Sequence, residues 1–228
     1  MNDIYDVIKN AEKIFNNKYT SFLDVKLQKL VRSKLGKTKY QIYLPYQDSE
    51  KVIYYTSDIP KVSLYEIKVK DIITHRDILG ALFSLGIDSS MYGDIVVKDN
   101  HYYIFILDII ENYLFSHLLM IKNSKVELEK KAINFLDNHQ RQYETIELVV
   151  SSVRLDSVIS SIIQVKRDDV ASKIKEKDIL VNYDIVKSSY KLKNNDIISI
   201  RKYGKYSYKG IIKATKKNNY VIRVDKYI

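Results

Sequence analysis

The order of apolar patterns between residues 62 and 121 constrains the fold of this chain more than any other feature of the sequence. VSLYEIKV at 62–69 alternates apolar and polar residues, as a strand does, and a helix with the spacing of a capping box begins near Thr74. Two more strands are predicted at 95–97 and 102–107, and a second helix over 108–121. A strand, a helix, a hairpin and a helix, closed by one further strand, give the split βαβ order of a ferredoxin-like sheet. The sequence therefore predicts an α+β protein with an RRM-like middle domain.

Either of two segments fits the strand that closes this sheet. VELE at 126–129 and IELVV at 146–150 both qualify as this strand, and the sequence does not choose between them. The polar stretch at 138–145 is interpreted as the loop into the last domain. The middle domain is therefore predicted to span 61–147.

The first domain, residues 1–60, is predicted to be a small helical region with a β-hairpin. Apolar residues at helical spacing predict one helix over 3–17 and another from about residue 24 to residue 35. QIYLP and KVIYY, which begin at residues 41 and 51, are typical of two strands joined by a polar turn.

The last domain, residues 148–228, combines two short helices with strands. Apolar residues from Leu155 to Ile163 fall at i, i+3, i+4, i+7 and i+8, which places them on one helix face. Val170 and Ile174 indicate a second short helix. Strands are predicted at 179–181, 197–201, 208–214 and 220–227, the last two as a closing hairpin.

Basic residues are concentrated in this last domain. Residues 148–228 hold 18 Lys and Arg against 8 Asp and Glu, whereas residues 1–147 hold 20 of each kind. A genome-wide preference for lysine codons would spread the excess evenly, so it does not explain this split. A basic third on a neutral remainder is the pattern expected for a polyanionic partner.

Two arginines are the leading candidates for contacts with RNA. Arg154 and Arg167 each begin a predicted helix, so both face one side if the two helices form a hairpin. Lys and Arg side chains release counterions from phosphates, and tyrosines among lysines offer stacking surfaces. The candidate RNA-binding residues are Arg154, Lys166, Arg167, Lys173, Lys177, Asn182, Lys187, Lys191, Arg201, Lys202, Lys205 and Tyr206.

Motifs that would indicate catalysis or a metal site are incomplete. HRD at 75–77 resembles a kinase catalytic loop, but Leu82 stands where that loop needs a magnesium-binding Asn. RLD at 154–156 resembles the catalytic signature of pseudouridine synthases, but it continues SVISS without their Thr and Gly, so we interpret Asp156 as pairing with a neighbouring base or capping the helix. The chain has no Cys, and its four His lack ligand spacing. We predict no catalytic residues, no metal and no cofactor.

The strand YYIFIL at 102–107 is aromatic enough to suggest an RNA-recognition sheet. It lacks the Gly of the RNP1 pattern, and alternation places its residues on both faces of the sheet. Core packing is therefore the preferred interpretation.

No segment approaches 18 consecutive apolar residues, and the start of the chain lacks a basic region followed by an apolar core. We therefore expect a soluble, cytoplasmic protein without a membrane partner.

Two stretches resemble known families. Residues 153–201 resemble the S4 RNA-binding domain in RLD, in the Lys-Arg start of the second helix, in ILVN and in NDIISIR. ITHRDILGALFSLGIDSSMYGDIVV at 73–97 resembles the signature of the bacterial YlmH/RqcP proteins, and FLD at 22–24 is similar to their N-terminal segment. The order of N-terminal helices, RRM-like middle and S4 end covers essentially the whole chain.

The YlmH/RqcP resemblance implies a non-enzymatic RNA-binding factor of ribosome-associated quality control. It implies binding to large-subunit rRNA and to the P-site peptidyl-tRNA, in partnership with the factor that tails the nascent chain with alanine. A monomer is expected. Two alternatives stay open: an S4-domain enzyme that modifies rRNA or tRNA, and a general ribosome-assembly factor or RNA chaperone.

Several positions depart from the family pattern. Val25 stands where a Pro is usual, and Tyr183 and Asn195 stand where turn glycines are usual. The segment 37–41 lacks the expected Gly and Arg residues, and Asp88–Ser90 lacks the usual basic ones. Lys205 replaces an Arg in the final Gly-Arg-aromatic motif.

Overall fold

The computed structural model describes residues 3–228, and residues 1 and 2, with which the predicted first domain begins, lie outside this range. The chain forms two compact units, of which the first ends at Gln140 and the second is Arg141–Ile228. The predicted boundary between residues 147 and 148 is therefore corrected, and the predicted first and middle domains lie in one unit. The boundary moves because residues 143–150 form a strand that pairs within the second unit.

The first unit contains four helices and eight strands within residues 3–140. The helices are α1 (Asp3–Phe15), α2 (Val25–Leu35), α3 (His75–Ser84) and α4 (Glu111–His117). The strands are β1 (Gln41–Tyr43), β2 (Ile53–Tyr55), β3 (Val62–Lys68), β4 (Tyr92–Lys98), β5 (His101–Leu107), β6 (Met120–Ile121), β7 (Ser124–Lys125) and β8 (Glu127–Lys131).

The middle sheet has the strand order β4-β5-β3-β8, and every pair in it is antiparallel. This is the order of a ferredoxin-like sheet, so the predicted topology is confirmed. The closing strand is β8, which pairs with β3 from Leu64↔Lys131 to Lys68↔Glu127. Of the two candidate segments, the one at 126–129 therefore closes the sheet.

Both faces of this sheet are buried. On one face, Ile104 and Ile106 pack with residues of α3 and α4 such as Leu82 and Leu114. On the other face, Phe105 packs with residues from the beginning of the chain and from the segment after β8. Core packing of β5 is thus confirmed, and the sheet face on which an RRM stacks bases is covered by protein.

Gly93 shows how tightly the second face is packed. A Cβ atom at this position would lie 2.9 Å from a ring carbon of Phe22. Phe22 is also tied to the sheet region by its backbone N–H, which donates to the Ser90 carbonyl at 2.9 Å. The FLD segment therefore docks directly on the middle sheet, because residue 93 has no side chain.

The second unit contains two helices and five strands. They are β9 (Tyr143–Val150), α5 (Leu155–Ile163), α6 (Arg167–Lys175), β10 (Ile179–Val181), β11 (Ile197–Ile200), β12 (Gly204–Ala214) and β13 (Tyr220–Tyr227). The strands form one antiparallel sheet in the order β10-β11-β12-β13-β9. The segment at 146–150 is therefore an edge strand here, and the predicted helices and closing hairpin are confirmed.

Helices α5 and α6 cover one face of this second sheet. The core joins Val158 and Ile159 of α5 and Val170 of α6 to Ile198 and Tyr206 of the strands. Within residues 3–228, none of the helices combines the length and the apolar character needed to span a bilayer.

Candidate RNA-binding surface

The start of α5 holds the first candidate arginine in an ion pair. The Arg154 guanidinium donates to both carboxylate oxygens of Asp156, with Nε–Oδ1 at 3.1 Å and Nη2–Oδ2 at 2.6 Å. Asp156 is buried and also accepts the backbone N–H of Ser157 at 2.8 Å. The hydrogen bonds from Arg154 lower the pKa of the Asp156 carboxyl, although burial opposes them. The interpretation of Asp156 as the partner of a neighbouring base is confirmed.

The second candidate arginine reaches the same place from α6. Arg167 Nη2 donates to the Ser157 hydroxyl at 2.8 Å and also to the Ser151 hydroxyl. Its charge contributes to the lowered pKa of Asp156. Two guanidinium groups from the starts of two helices therefore flank one buried carboxylate, as the predicted helical hairpin requires.

Further lysines lie around the two arginines. Lys191 forms a β-bridge with Arg154, and the Ser188 carbonyl of the same loop accepts the Asp156 N–H at 3.1 Å. Lys187 precedes Ser188, and Lys166 occupies the position before the first residue of α6. The name helix-start cluster is used below for the exposed or half-exposed residues Arg154, Lys166, Arg167, Lys187 and Lys191.

A separate group of candidates lies at the other end of α6. The Arg201 N–H donates to the Asp178 carbonyl at 2.8 Å, and its guanidinium pairs with the Asp178 carboxylate at 3.2 Å. Lys177 precedes Asp178, and Lys202 follows Arg201 in the turn before β12. The nine residues of α6 extend over about 13 Å, since a helix rises about 1.5 Å per residue. The predicted single basic set therefore divides into the helix-start cluster and a turn cluster of Lys177, Arg201 and Lys202.

Two other candidate lysines lie apart from these clusters. Lys173 is half-buried in the last turn of α6. Lys205 Nζ lies 3.2 Å from the Tyr183 hydroxyl and 5.1 Å from the centroid of its ring. Lys205 is thus held on the sheet by an aromatic contact.

Asn182 has an internal role. Its Nδ2 donates to the Asp196 carboxylate at 2.8 Å, and its Oδ1 accepts the Ile197 N–H at 2.9 Å. The amide therefore fixes the connection between β10 and β11. Asn182 is half-exposed, and its place on the RNA-binding surface stays a prediction.

The prediction that Tyr206 lies on the RNA-binding surface is corrected. Tyr206 is 5% exposed, packs in the core and donates its hydroxyl hydrogen to the Tyr203 carbonyl at 3.1 Å. Tyr208 is buried as well, so neither ring offers a stacking surface. Alternation along β12 explains this, because residues 206 and 208 face the helices while Lys205 and Ser207 face away. The same alternation is visible in KYSYK and indicates a buried tyrosine face.

Two departures from the S4 pattern coincide with left-handed backbone. Tyr183 and Asn195 both have φ of 68°. Glycine adopts this conformation without steric cost, whereas other residues do not. The fold thus keeps the backbone that turn glycines favour, and the changes at these positions leave the surrounding hydrogen bonds in place.

Basic residues around the tip of the β12–β13 hairpin are absent from the predicted set. Lys213, Lys216 and Lys217 are exposed at or near its turn. The sequence contains a signal for them, since residues 201–224 include eight Lys and Arg and no Asp or Glu.

A cleft of about 470 Å³ in the first unit is lined in part by Glu66, a buried carboxylate. Glu66, at its wall, pairs with Lys131 at 2.8 Å and with His101 Nδ1 at 2.5 Å. Burial raises the pKa of Glu66, but its two partners together bring the pKa below its usual value. Within residues 3–228, no three His, Cys, Asp or Glu side chains come together as metal ligands would.

Comparison with known proteins adds three findings. Residues 57–135 match the family described as "Putative RNA-binding domain in YlmH". The chain is 24% identical over 255 residues to the Bacillus subtilis (strain 168) protein named "Ribosome-associated protein quality control protein P2", covering 99% of each chain. The structure described as "Cell division protein ylmH from Streptococcus pneumoniae" is 19% identical, with a TM-score of 0.48 over 58% of this chain and 90% of its own. The first two matches confirm the resemblance to the YlmH family.

Proposed function

We propose, on the premise that this chain is a YlmH-type RNA-binding protein, that it is a non-enzymatic factor of ribosome-associated quality control. In this role it binds large-subunit rRNA and the P-site peptidyl-tRNA. It thereby holds the peptidyl-tRNA while a partner factor tails the stalled nascent chain with alanine.

The helix-start cluster is the observation that carries this proposal. Arg154 and Arg167 are fixed by Asp156, Ser151 and Ser157, so their guanidinium groups are oriented before RNA arrives. A planar guanidinium suits bidentate binding of phosphate, and prior ordering lowers the entropy lost on binding. The surplus of ten positive charges in residues 148–228 supplies the attraction to a polyanion.

The state of Glu66 favours a binding role over an enzymatic one. A general acid or base works best with a pKa near the working pH. Glu66 has its pKa lowered by Lys131 and His101, so it stays ionised and paired at neutral pH. The conspicuous buried carboxylate of the first unit is therefore structural.

The full-length alignment favours a quality-control factor over a general RNA chaperone. The aligned Bacillus subtilis protein is named for ribosome-associated quality control, and the alignment includes both units of this chain. A general chaperone would need the basic unit alone.

Sedimentation of cell lysate on a density gradient tests the proposal. The protein should migrate with large subunits that carry peptidyl-tRNA, and the double variant Arg154→Glu, Arg167→Glu should remain in the light fractions. A matched control is Lys34→Glu, Lys37→Glu, which changes the charge equally at exposed positions of the first unit. Circular dichroism of both variants verifies folding.

Absence of the native protein from those large subunits would refute the quality-control role. Co-sedimentation of the folded arginine variant would show that the helix-start cluster is not the anchor. Turnover of unmodified rRNA by the purified protein with common cofactors would revive the modifying-enzyme alternative.

A further inference from the structure

The β12–β13 hairpin carries positive charge that the helix-start cluster does not account for. Lys213 lies near the end of β12, and Lys216 and Lys217 lie in the turn before β13. All three side chains are exposed. By contrast, Arg223 lower on the same hairpin pairs with Asp225 at 3.0 Å.

The strand register places this turn at the same end of the unit as the helix-start cluster. Tyr220, the first residue of β13, pairs with Ala214 on one side and with Val150 on the other. Val150 is followed by Ser151, whose hydroxyl accepts a hydrogen bond from Arg167. With about 3.4 Å per residue and about 5 Å between strands, the turn lysines lie within about 20 Å of Arg167.

The turn itself is well fixed. The Thr215 N–H donates to the Asn219 carbonyl at 2.7 Å, and the Asn218 N–H donates to the Thr215 carbonyl at 3.0 Å. The Thr215 hydroxyl also accepts the Asn219 N–H at 3.1 Å. The backbone that carries Lys216 and Lys217 is therefore ordered without a ligand.

The chemistry of this end of the unit is that of phosphate contacts. Tyr190, in the loop between Lys187 and Lys191, and Tyr220, at the start of β13, are partly buried against the core, so neither ring presents a fully free face for stacking on bases. Single-stranded RNA is usually held by such rings, whereas double-helical RNA is recognised largely through its backbone. Two groups of cations within about 20 Å of each other can contact phosphates of both strands of one duplex, because double-helical RNA is recognised largely through backbone contacts across its minor groove.

We propose that Lys213, Lys216 and Lys217 form a second phosphate-binding element, which acts together with the helix-start cluster to bind double-helical RNA. This inference rests on the proposed function and names the form of RNA that the surface takes. The helix-start cluster binds phosphates of one strand of the duplex, and the lysines of the hairpin turn bind phosphates of the other strand.

Fluorescence anisotropy with the full chain tests this inference. The probes are a 20-base-pair RNA duplex and one of its strands alone, chosen to lack internal pairing, each titrated at several salt concentrations. The test variant is Lys213→Gln, Lys216→Gln, Lys217→Gln. The matched control is Lys34→Gln, Lys37→Gln, Lys39→Gln, which removes the same charge from exposed positions of the first unit.

The native protein should bind the duplex more tightly than the single strand. The hairpin variant should weaken duplex binding about tenfold at moderate salt and reduce the salt slope by roughly 2–3, because each lost phosphate contact removes about 0.7–0.9. The control variant should change neither value by more than about twofold.

If the hairpin and control variants have equal duplex affinities and equal salt slopes, the second phosphate-binding element is refuted. If the native protein binds the single strand more tightly than the duplex, the preference for double-helical RNA is refuted. The variant Arg154→Gln, Arg167→Gln separates the two levels of the proposal. If it loses duplex binding while the hairpin variant does not, only this inference fails. If it retains binding, the helix-start anchor of the proposed function fails.

Discussion

The two units build similar antiparallel sheets and use their charges in opposite ways. In the first unit, Glu66, Lys68, Glu129 and Lys131 form a connected set of ion pairs beside a sheet that is covered on both faces. In the second unit, one sheet face is packed under helices, and the cations outnumber the acids that could neutralise them. The comparison shows that an RRM-like topology does not by itself make an RNA-binding face. The surplus of positive charge lies in the second unit, whereas the match to a putative RNA-binding domain lies in the first unit, at residues 57–135.

The largest effect should come from the doubly covered sheet. Phe105 is fully buried and stacks with Tyr46 at a centroid distance of 6.0 Å. Phe105→Ala should lower the free energy of unfolding by about 3–5 kcal/mol, because it removes an aromatic ring and leaves a cavity. Urea unfolding followed by circular dichroism measures this loss. Phe83→Ala is the control, since that ring is 83% exposed, and it should cost about 0.5 kcal/mol or less. Equal losses in the two variants would contradict the burial of both sheet faces.

The next effect concerns the carboxylate between the two arginines. Asp156→Ala should lower the free energy of unfolding by about 2 kcal/mol at neutral pH, because it removes the ion pair with Arg154 and the hydrogen bond from the Ser157 N–H. Asp168→Ala, an exposed change in the first turn of α6, should cost about 0.5 kcal/mol.

The contribution of Asp156 should also depend on pH. Its folded pKa is lowered, chiefly by the hydrogen bonds from Arg154. The stabilisation is therefore present above the unfolded pKa of about 4 and is lost as the pH falls through the folded value. Thermal unfolding between pH 7 and about pH 2 should show the native protein and the alanine variant converging in acid. A constant gap between them would contradict the ion pair.

A smaller effect on stability should come from the titration of Lys51, a cation of the first unit. Burial lowers the pKa of Lys51 to about 8, although Asp94 opposes the shift, and its ammonium donates to the carbonyls of Ser89 and Tyr92. The unfolded chain binds more protons than the folded one between about pH 8 and the ordinary lysine pKa of about 10.4, so stability should rise with pH in that window.

The native protein should gain about 1–2 kcal/mol from pH 8 to pH 10 relative to Lys51→Met, measured by urea unfolding. Above about pH 10 the trend is opposed by Tyr43, because burial raises the pKa of its hydroxyl to about 12. Parallel curves for the two proteins from pH 8 to pH 10 would show that Lys51 does not titrate in this way.

The smallest effect concerns a loop of the second unit. Asn195→Gly should raise the free energy of unfolding by about 0.5 kcal/mol, since glycine adopts the positive φ at this position without strain. Asn194→Gly, next to it but without positive φ, should not stabilise the protein. A gain from both variants would show that the backbone conformation at residue 195 is not the cause. Differential scanning calorimetry is sensitive enough to compare them.

The middle topology could be predicted because strand and helix periodicities are local properties of the sequence. The choice between the segments at 126–129 and 146–150 could not, because both have apolar alternation and the decision depends on their partners. β8 pairs with β3, and β9 pairs with β13. The pairing of β9 with β13 joins residues as far apart in sequence as Tyr143 and Tyr227.

The candidate site shows the same division. The ion pair of Arg154 with Asp156 spans two residues and was within reach of sequence reasoning. The contact between Arg167 and Ser151 spans 16 residues and requires the helical hairpin. Tyr206 was wrongly assigned because composition was weighed above alternation. The internal hydrogen bonds of Asn182 could not be predicted, because the Asp196 carboxylate that its amide contacts lies 14 residues away.

By itself, the sequence determined the α+β order of elements and the concentration of positive charge from residue 148 onward. It also determined that an arginine lies at the start of each of the two helices of the second unit. These follow from short-range periodicity, capping and composition. Tertiary structure alone decided which strand closes the middle sheet, which tyrosines are buried and which lysines lie near Arg167. Those outcomes depend on contacts between distant residues, where burial and strand pairing override local preference.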